Sequence, residues 1–210
     1  MSCDAWSPDG SKILCGWSSD TDPGGIVTLD VATGAVVAHI SSGAFPGVKG
    51  TKSECGGGDS SGAWSPDGSK VVFVRHRCGT KPDPVQAEEA AIYLANADGS
   101  GTPQEIVTMG QINSSEPQIS WSPDGQWLLF SNGGLFMAHP DGTAYRTILV
   151  DVTMGSYLYS PTWSPDGARM AFSAWREGQT TDLWTTLADG TNARRLTNDS
   201  ASEDSISWTR

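Results

Sequence analysis

Five residues, Trp-Ser-Pro-Asp-Gly, recur four times in this chain, at Trp6–Gly10, Trp64–Gly68, Trp121–Gly125 and Trp163–Gly167, and a fifth copy opens at Trp208. Successive tryptophans stand 58, 57, 42 and 45 residues apart. A chain that repeats one unit of roughly 40 to 50 residues builds a stack of similar modules, a propeller or a solenoid, so the repeat outranks every local signal.

The stretch has a physical reading. Pro fixes φ near −65° and suits the second position of a type I turn, Asp tolerates the third, and Gly takes the left-handed position that follows. Ser-Pro-Asp-Gly is therefore a tight turn between antiparallel strands. Apolar runs of strand length follow each copy: Ile13-Leu14-Cys15, Val71-Val72-Phe73-Val74, Trp127-Leu128-Leu129-Phe130 and Met170-Ala171-Phe172. Second turns come later in each unit, at Asp30–Gly34, Asn96–Gly99, Pro140–Gly142 and Ala188–Gly190. Each unit thus reads as four strands, which is one propeller blade. The repeats span about 1–40, 60–109, 117–150 and 157–200, with a partial one over 203–210, all in one domain. The expected fold class is all-β. A tryptophan before each turn, Trp6, Trp64, Trp121, Trp163 and Trp208, is expected to pack between neighbouring units.

Composition agrees and excludes several roles. The 25 Gly and 12 Pro suit a turn-rich β architecture. A net charge of −11 repels phosphate backbones, which argues against nucleic-acid binding. No apolar run reaches the roughly 18 residues of a membrane helix, so no membrane insertion is expected. The first residues, Met-Ser-Cys-Asp-Ala-Trp, contain neither the basic nor the apolar region of a signal peptide.

These stretches resemble the TolB-type (WD-like) β-propeller repeat, in which a Trp-Ser-Pro-Asp-Gly hairpin joins the innermost strand to the second. Residues Trp163 to Asn198 match the whole pattern, including Asp182-Leu183-Trp184 and Arg194-Arg195-Leu196-Thr197; the first unit diverges most. The resemblance implies a fold, and a fold hosts many activities. Propellers of this family generally have six or more blades, so the expectation is a piece of a larger ring whose start lies upstream of Met1; the alternatives are a self-contained ring or open arc, and an assembly of copies that completes one ring. Unpaired blade edges would then favour self-assembly.

Counting across the hairpins brings the four cysteines into pairs. Cys55 and Cys78 flank the second hairpin symmetrically, and Cys3 and Cys15 are close to opposite on the first. Two disulfides are expected, Cys55–Cys78 and Cys3–Cys15, and with them an oxidising compartment, periplasmic or extracellular. The alternative for the second pair is two buried thiols. No Cys-x-x-Cys spacing or His pair suggests a metal.

Catalytic patterns are weak. Gly58-Asp59-Ser60-Ser61-Gly62 matches the Gly-x-Ser-x-Gly elbow but lacks its strand-to-helix setting. His39, His76 and His139 are scattered and form no triad. Ser19–Asp22 is too poor in oxygen ligands for a calcium loop. Asn113-Ser114-Ser115 and Asn198-Asp199-Ser200 fit the glycosylation pattern at a frequency chance allows. The expectation is a non-enzyme without cofactor or metal.

Loops entering the inner strand and leaving the second strand emerge at one end of a blade. That end gathers Asp59, Glu116, Tyr157, Glu203 and Asp204 from the one set, and Arg75, His76, Arg77, Trp175 and Arg176 from the other. The long loops Ser41–Asp59 and Arg77–Glu89 lie there too. Acidic groups with aromatic and Arg neighbours make a plausible docking face for a protein or peptide. The alternative is the substrate-gating propeller of a prolyl-oligopeptidase-type serine peptidase, whose catalytic domain would lie outside these residues.

Overall fold

The computed structural model describes residues 2–17, 24–41, 58–78, 88–111, 117–149, 157–175, 180–203 and 206–208. Among them are sixteen strands in four antiparallel four-stranded sheets. The first sheet holds β1 (Ser2–Trp6), β2 (Lys12–Trp17), β3 (Gly25–Asp30) and β4 (Val36–His39). The second holds β5 (Asp59–Trp64), β6 (Lys70–Cys78), β7 (Glu88–Asn96) and β8 (Gln104–Gln111). The third holds β9 (Ile119–Trp121), β10 (Leu128–Ser131), β11 (Leu135–Ala138) and β12 (Arg146–Leu149). The fourth holds β13 (Tyr157–Trp163), β14 (Arg169–Trp175), β15 (Asp182–Leu187) and β16 (Arg194–Arg195). In each, consecutive strands are neighbours.

The repeated stretch closes its own hydrogen bonds. The Lys12 N–H donates to Ser7 Oγ at 2.8 Å, Ser7 Oγ–H donates to Asp9 Oδ1 at 2.7 Å, and the Ser11 N–H donates to the same oxygen at 3.0 Å. The same three bonds recur around Ser65, Ser122 and Ser164. The closing glycines sit at φ of +70° to +71°, where a side chain would be strained. These donors hold the turn carboxylates below their ordinary 3.8. Asp9 falls to about 2, chiefly through the Ser11 N–H, and Asp67 to about 2, chiefly through the Ser65 hydroxyl.

Before the motif, the inner strand is irregular. In the first, second and fourth sheets the register slips by one residue, between Cys3 and Ala5, Ser60 and Ala63, and Tyr159 and Thr162. Ser160 takes a φ of +52° within the last of these bulges. Such a slip changes which residues face each other at the rim.

Two compact units divide the chain, Met1–Ile112 and Asn113–Arg210. In the first, Trp64 and Phe73 of the second sheet pack with Leu14 and Ile26 of the first, and Trp64 Nε1–H donates to the Ala5 carbonyl at 3.2 Å. Gly62 lies against Leu14, leaving no room for a Cβ. In the second unit, Trp163, Met170 and Phe172 pack with Leu129, Leu135 and Met137. Trp64 and Trp163 thus pack between neighbouring sheets, as expected. Trp6 does not: it is 60% exposed. Trp121 and Trp208 are half-buried.

Two other expectations are corrected. Arg77, Cys78, Glu88 and Glu89 are paired strand residues rather than loop, with Arg77 opposite Glu89 and Cys78 opposite Glu88. Backbone pairing between two long strands outweighs the polar side chains that read as loop. Residues 206–208 form no strand, since none of the described residues pairs with them.

Candidate binding rim

Cys3 and Cys15 face each other across β1 and β2 and are joined by a disulfide, as expected. Cys55 lies outside the described residues, as does the side chain of Cys78. The first hairpin is therefore tied covalently near its open end.

The second sheet ties the same end of its hairpin with charge. The bulge brings Asp59 opposite Arg75. The guanidinium donates twice, from Nε to Oδ1 at 2.7 Å and from Nη2 to Oδ2 at 2.8 Å. Its carbon stands 4.5 Å from the Tyr93 ring centre and 5.4 Å from that of Phe73. The hydrogen bonds to Asp59 raise the Arg75 pKa further. The Asp59 side chain is fully buried, so this acid faces Arg75 and not an incoming partner. Next to it, His76 Nε2 and Ser60 Oγ share a hydrogen bond of 2.8 Å, and His76 is buried. Ser60 stands within strand β5, and the chain continues as strand, so Gly58–Gly62 does not form a hydrolase elbow.

In the second unit, the fourth sheet puts aromatic rings at the corresponding end of its own hairpin. Tyr157 and Trp175 are directly paired, their ring centres 5.8 Å apart and their planes 33° apart. Tyr157 is 37% exposed. Behind them, the Tyr159 hydroxyl meets Thr181 Oγ1 at 2.9 Å. Glu203 is held from three directions. Its N–H donates to the Thr181 carbonyl at 3.1 Å, its carboxylate accepts from Thr197 Oγ1 at 2.8 Å, and its carbonyl accepts from Ser173 Oγ at 2.7 Å. This acid too is occupied within the fold.

Of the other residues expected here, Glu116, Arg176 and Asp204 lie outside the described residues, and nothing is described of the Arg77 side chain. Ser19–Asp22 and Asn113–Ser115 also lie outside them. Asn198 is exposed, and His39 is exposed on the outer strand of the first sheet. His139 stacks on Trp127 at 3.9 Å, with Arg146 4.7 Å from the same indole. Among the described residues no three His, Cys, Asp or Glu side chains gather as a metal site. Sequence reading missed the partners that occupy the rim groups: Tyr93 for Arg75, and Thr181 and Thr197 for Tyr159 and Glu203. Tyr93 could have been found by carrying the strand count one strand further.

No protein-family model matches the chain. The Tol-Pal system protein TolB of Anaeromyxobacter dehalogenans (strain 2CP-C) is 31% identical over 159 residues, covering 68% of this chain and 36% of that protein. The chain thus spans about a third of the length of the curated relatives it matches. The crystal structure of TolB from Acinetobacter baumannii superposes with a TM-score of 0.64 at 18% identity, covering 94% of this chain and 43% of the other. A prolyl endopeptidase structure gives 0.61 at 14% identity, covering 95% and 29%. Together with the four antiparallel sheets, these similarities make the chain an all-β protein of β-propeller blades, TolB-like in sequence and fold.

Proposed function

We propose that the chain is a non-catalytic segment of a larger TolB-like propeller that docks a protein or peptide on the rim where inner strands begin and second strands end. The observation that carries this reading is the Tyr157–Trp175 pair. Paired aromatic side chains with one ring 37% exposed offer contact area at low conformational cost, as interface anchors do. Asp59–Arg75 and Glu203 have a different task in this reading: satisfied internally, each stiffens the end of its own sheet. Similarity to a protein named as part of the Tol-Pal system supports a role alongside other proteins of a system. The Cys3–Cys15 disulfide supports a periplasmic or extracellular site of action.

The test is cross-linking of the purified chain in a periplasmic extract, compared with a Tyr157→Ala/Trp175→Ala double variant and a His39→Ala control. The reading expects one cross-linked partner that the double variant loses and the control keeps. Equal capture by all three proteins overturns it.

The gating propeller of a serine peptidase is the second reading, favoured by the fold similarity to a prolyl endopeptidase. The coding frame on either side of these residues separates the two. A strand-elbow-helix hydrolase pattern there supports gating; further blades alone support binding.

A further inference from the structure

Tyr157 and Trp175 carry polar chemistry that their contact with each other does not use. They face each other across β13 and β14, with ring centres 5.8 Å apart and planes inclined by 33°, so they present two apolar surfaces at an angle. Each ring also bears a hydrogen-bond donor, the indole N–H and the phenol O–H. Neither donor has a partner among the described residues. Other tryptophans differ. The Trp64 N–H donates to the Ala5 carbonyl, and the Trp17 and Trp163 N–H groups are buried, whereas that of Trp175 is not.

Apolar rings with unused donors suit a ligand that is apolar and offers free acceptors in the same stretch. A polyproline II segment meets both demands. It has no internal hydrogen bonds, so its carbonyls stay free to accept, and its rings pack against aromatic ones. Its rise of about 3.1 Å per residue carries two residues across about 6 Å, close to the 5.8 Å between the ring centres. Other occupants fit less well. An α-helix uses its own carbonyls and leaves both donors unmet. An added β-strand needs a regular edge on β13, and the bulge between Tyr159 and Thr162, with Ser160 at a φ of +52°, breaks that edge. Sugar hydroxyls call for free carboxylates beside the rings. At this end of the fourth sheet Glu203 accepts from Thr197, and Asp182 is buried against Arg195. Charge adds a preference, since a net charge of −11 attracts a basic segment.

We propose that Tyr157 and Trp175 recognise a proline-rich, basic segment of a partner protein in the polyproline II conformation. Its proline rings pack against the two aromatic rings, and its carbonyls accept hydrogen bonds from Trp175 Nε1–H and the Tyr157 hydroxyl. This inference rests on the docking reading above and narrows it to one class of partner.

The test is fluorescence anisotropy of the protein with a labelled, arginine-flanked oligoproline peptide, beside the same peptide with glycine in place of every proline. The oligoproline is expected to bind at least about tenfold more tightly. Trp175→Phe and Tyr157→Phe keep an aromatic ring and remove the donor, and each is expected to weaken binding by about three- to tenfold. Equal affinity for the two peptides overturns the proposal, because charge alone then holds them. So does oligoproline binding that both Phe variants leave unchanged. Absence of oligoproline binding overturns it too, and a tryptophan fluorescence response to a soluble oligosaccharide in its place would assign the rings to a sugar. If the Tyr157→Ala/Trp175→Ala variant still loses its cross-linked partner after such a failure, docking stands and only the class of partner falls. If that variant keeps the partner, the docking reading falls as well.

Discussion

Trp6 and Trp64 hold the same place in the first and second sheets, yet one is 60% exposed and the other 8%. Around both, the turn is the same: serine, aspartate and glycine make matching bonds at matching distances. The motif therefore does two separable jobs. Its last four residues make a hairpin whatever the surroundings, and its tryptophan contributes only when a neighbouring sheet receives it. The open ends of the two hairpins differ as well, one tied by the Cys3–Cys15 disulfide and the other by the buried Asp59–Arg75 pair.

The tryptophans give the sharpest contrast. Trp64→Ala in the 210-residue chain is expected to cost about 3–5 kcal/mol by opening a cavity in the core. Trp6→Ala is expected to cost under about 0.5 kcal/mol, as surface changes do. Equal losses in denaturant titrations would break the comparison. The two ties come next. Asp59→Ala leaves a half-buried guanidinium without its carboxylate, an expected loss of about 3–4 kcal/mol. Reducing Cys3–Cys15, which closes a short loop, is expected to cost about 3 kcal/mol. Only the second loss should depend on dithiothreitol, as melting with and without reductant would show.

The outer turns are a finer probe. Gly99→Ala combines a positive φ with a clash on the His39 carbonyl, for about 2–3 kcal/mol. Gly34→Ala has the positive φ alone, for about 1 kcal/mol. The smallest effect is with pH, and here the sheets should agree. The Asp9 and Asp67 carboxylates have folded pKa values of about 2, below the ordinary 3.8. Their contribution is complete above 3.8 and is lost as pH falls toward 2. An Asp67→Asn variant should show a shallower loss of stability over that window than the parent chain. An identical acid limb would mean the turn bonds contribute nothing.

The hairpins were legible because their chemistry is local: proline and glycine fix the turn dihedrals, and the apolar runs beside them have strand length. The bulge before Trp6, Trp64 and Trp163 was not legible. A straight count across the second hairpin places Asp59 opposite His76; the slip between Ser60 and Ala63 moves it to Arg75 and converts a supposed partner-facing acid into one arm of an ion pair. The same slip brings Cys3 opposite Cys15. The extended strands through Cys78 and Glu88 were hidden for another reason. Their stability comes from each other, along a ladder no single segment reveals. At the rim, sequence pointed to Tyr157 and Trp175 but carried no sign of the bonds that hold Glu203.

A turn whose serine and aspartate satisfy one another asks nothing of the protein around it. That makes the four-stranded unit portable. Copying its gene segment whole lengthens the array without leaving a polar group stranded, so such a chain can change its number of repeats in single duplication or deletion events. A cut inside the turn would separate the serine from the backbone it serves. Gains and losses that survive should accordingly begin and end between repeats, outside the hairpin that starts with tryptophan.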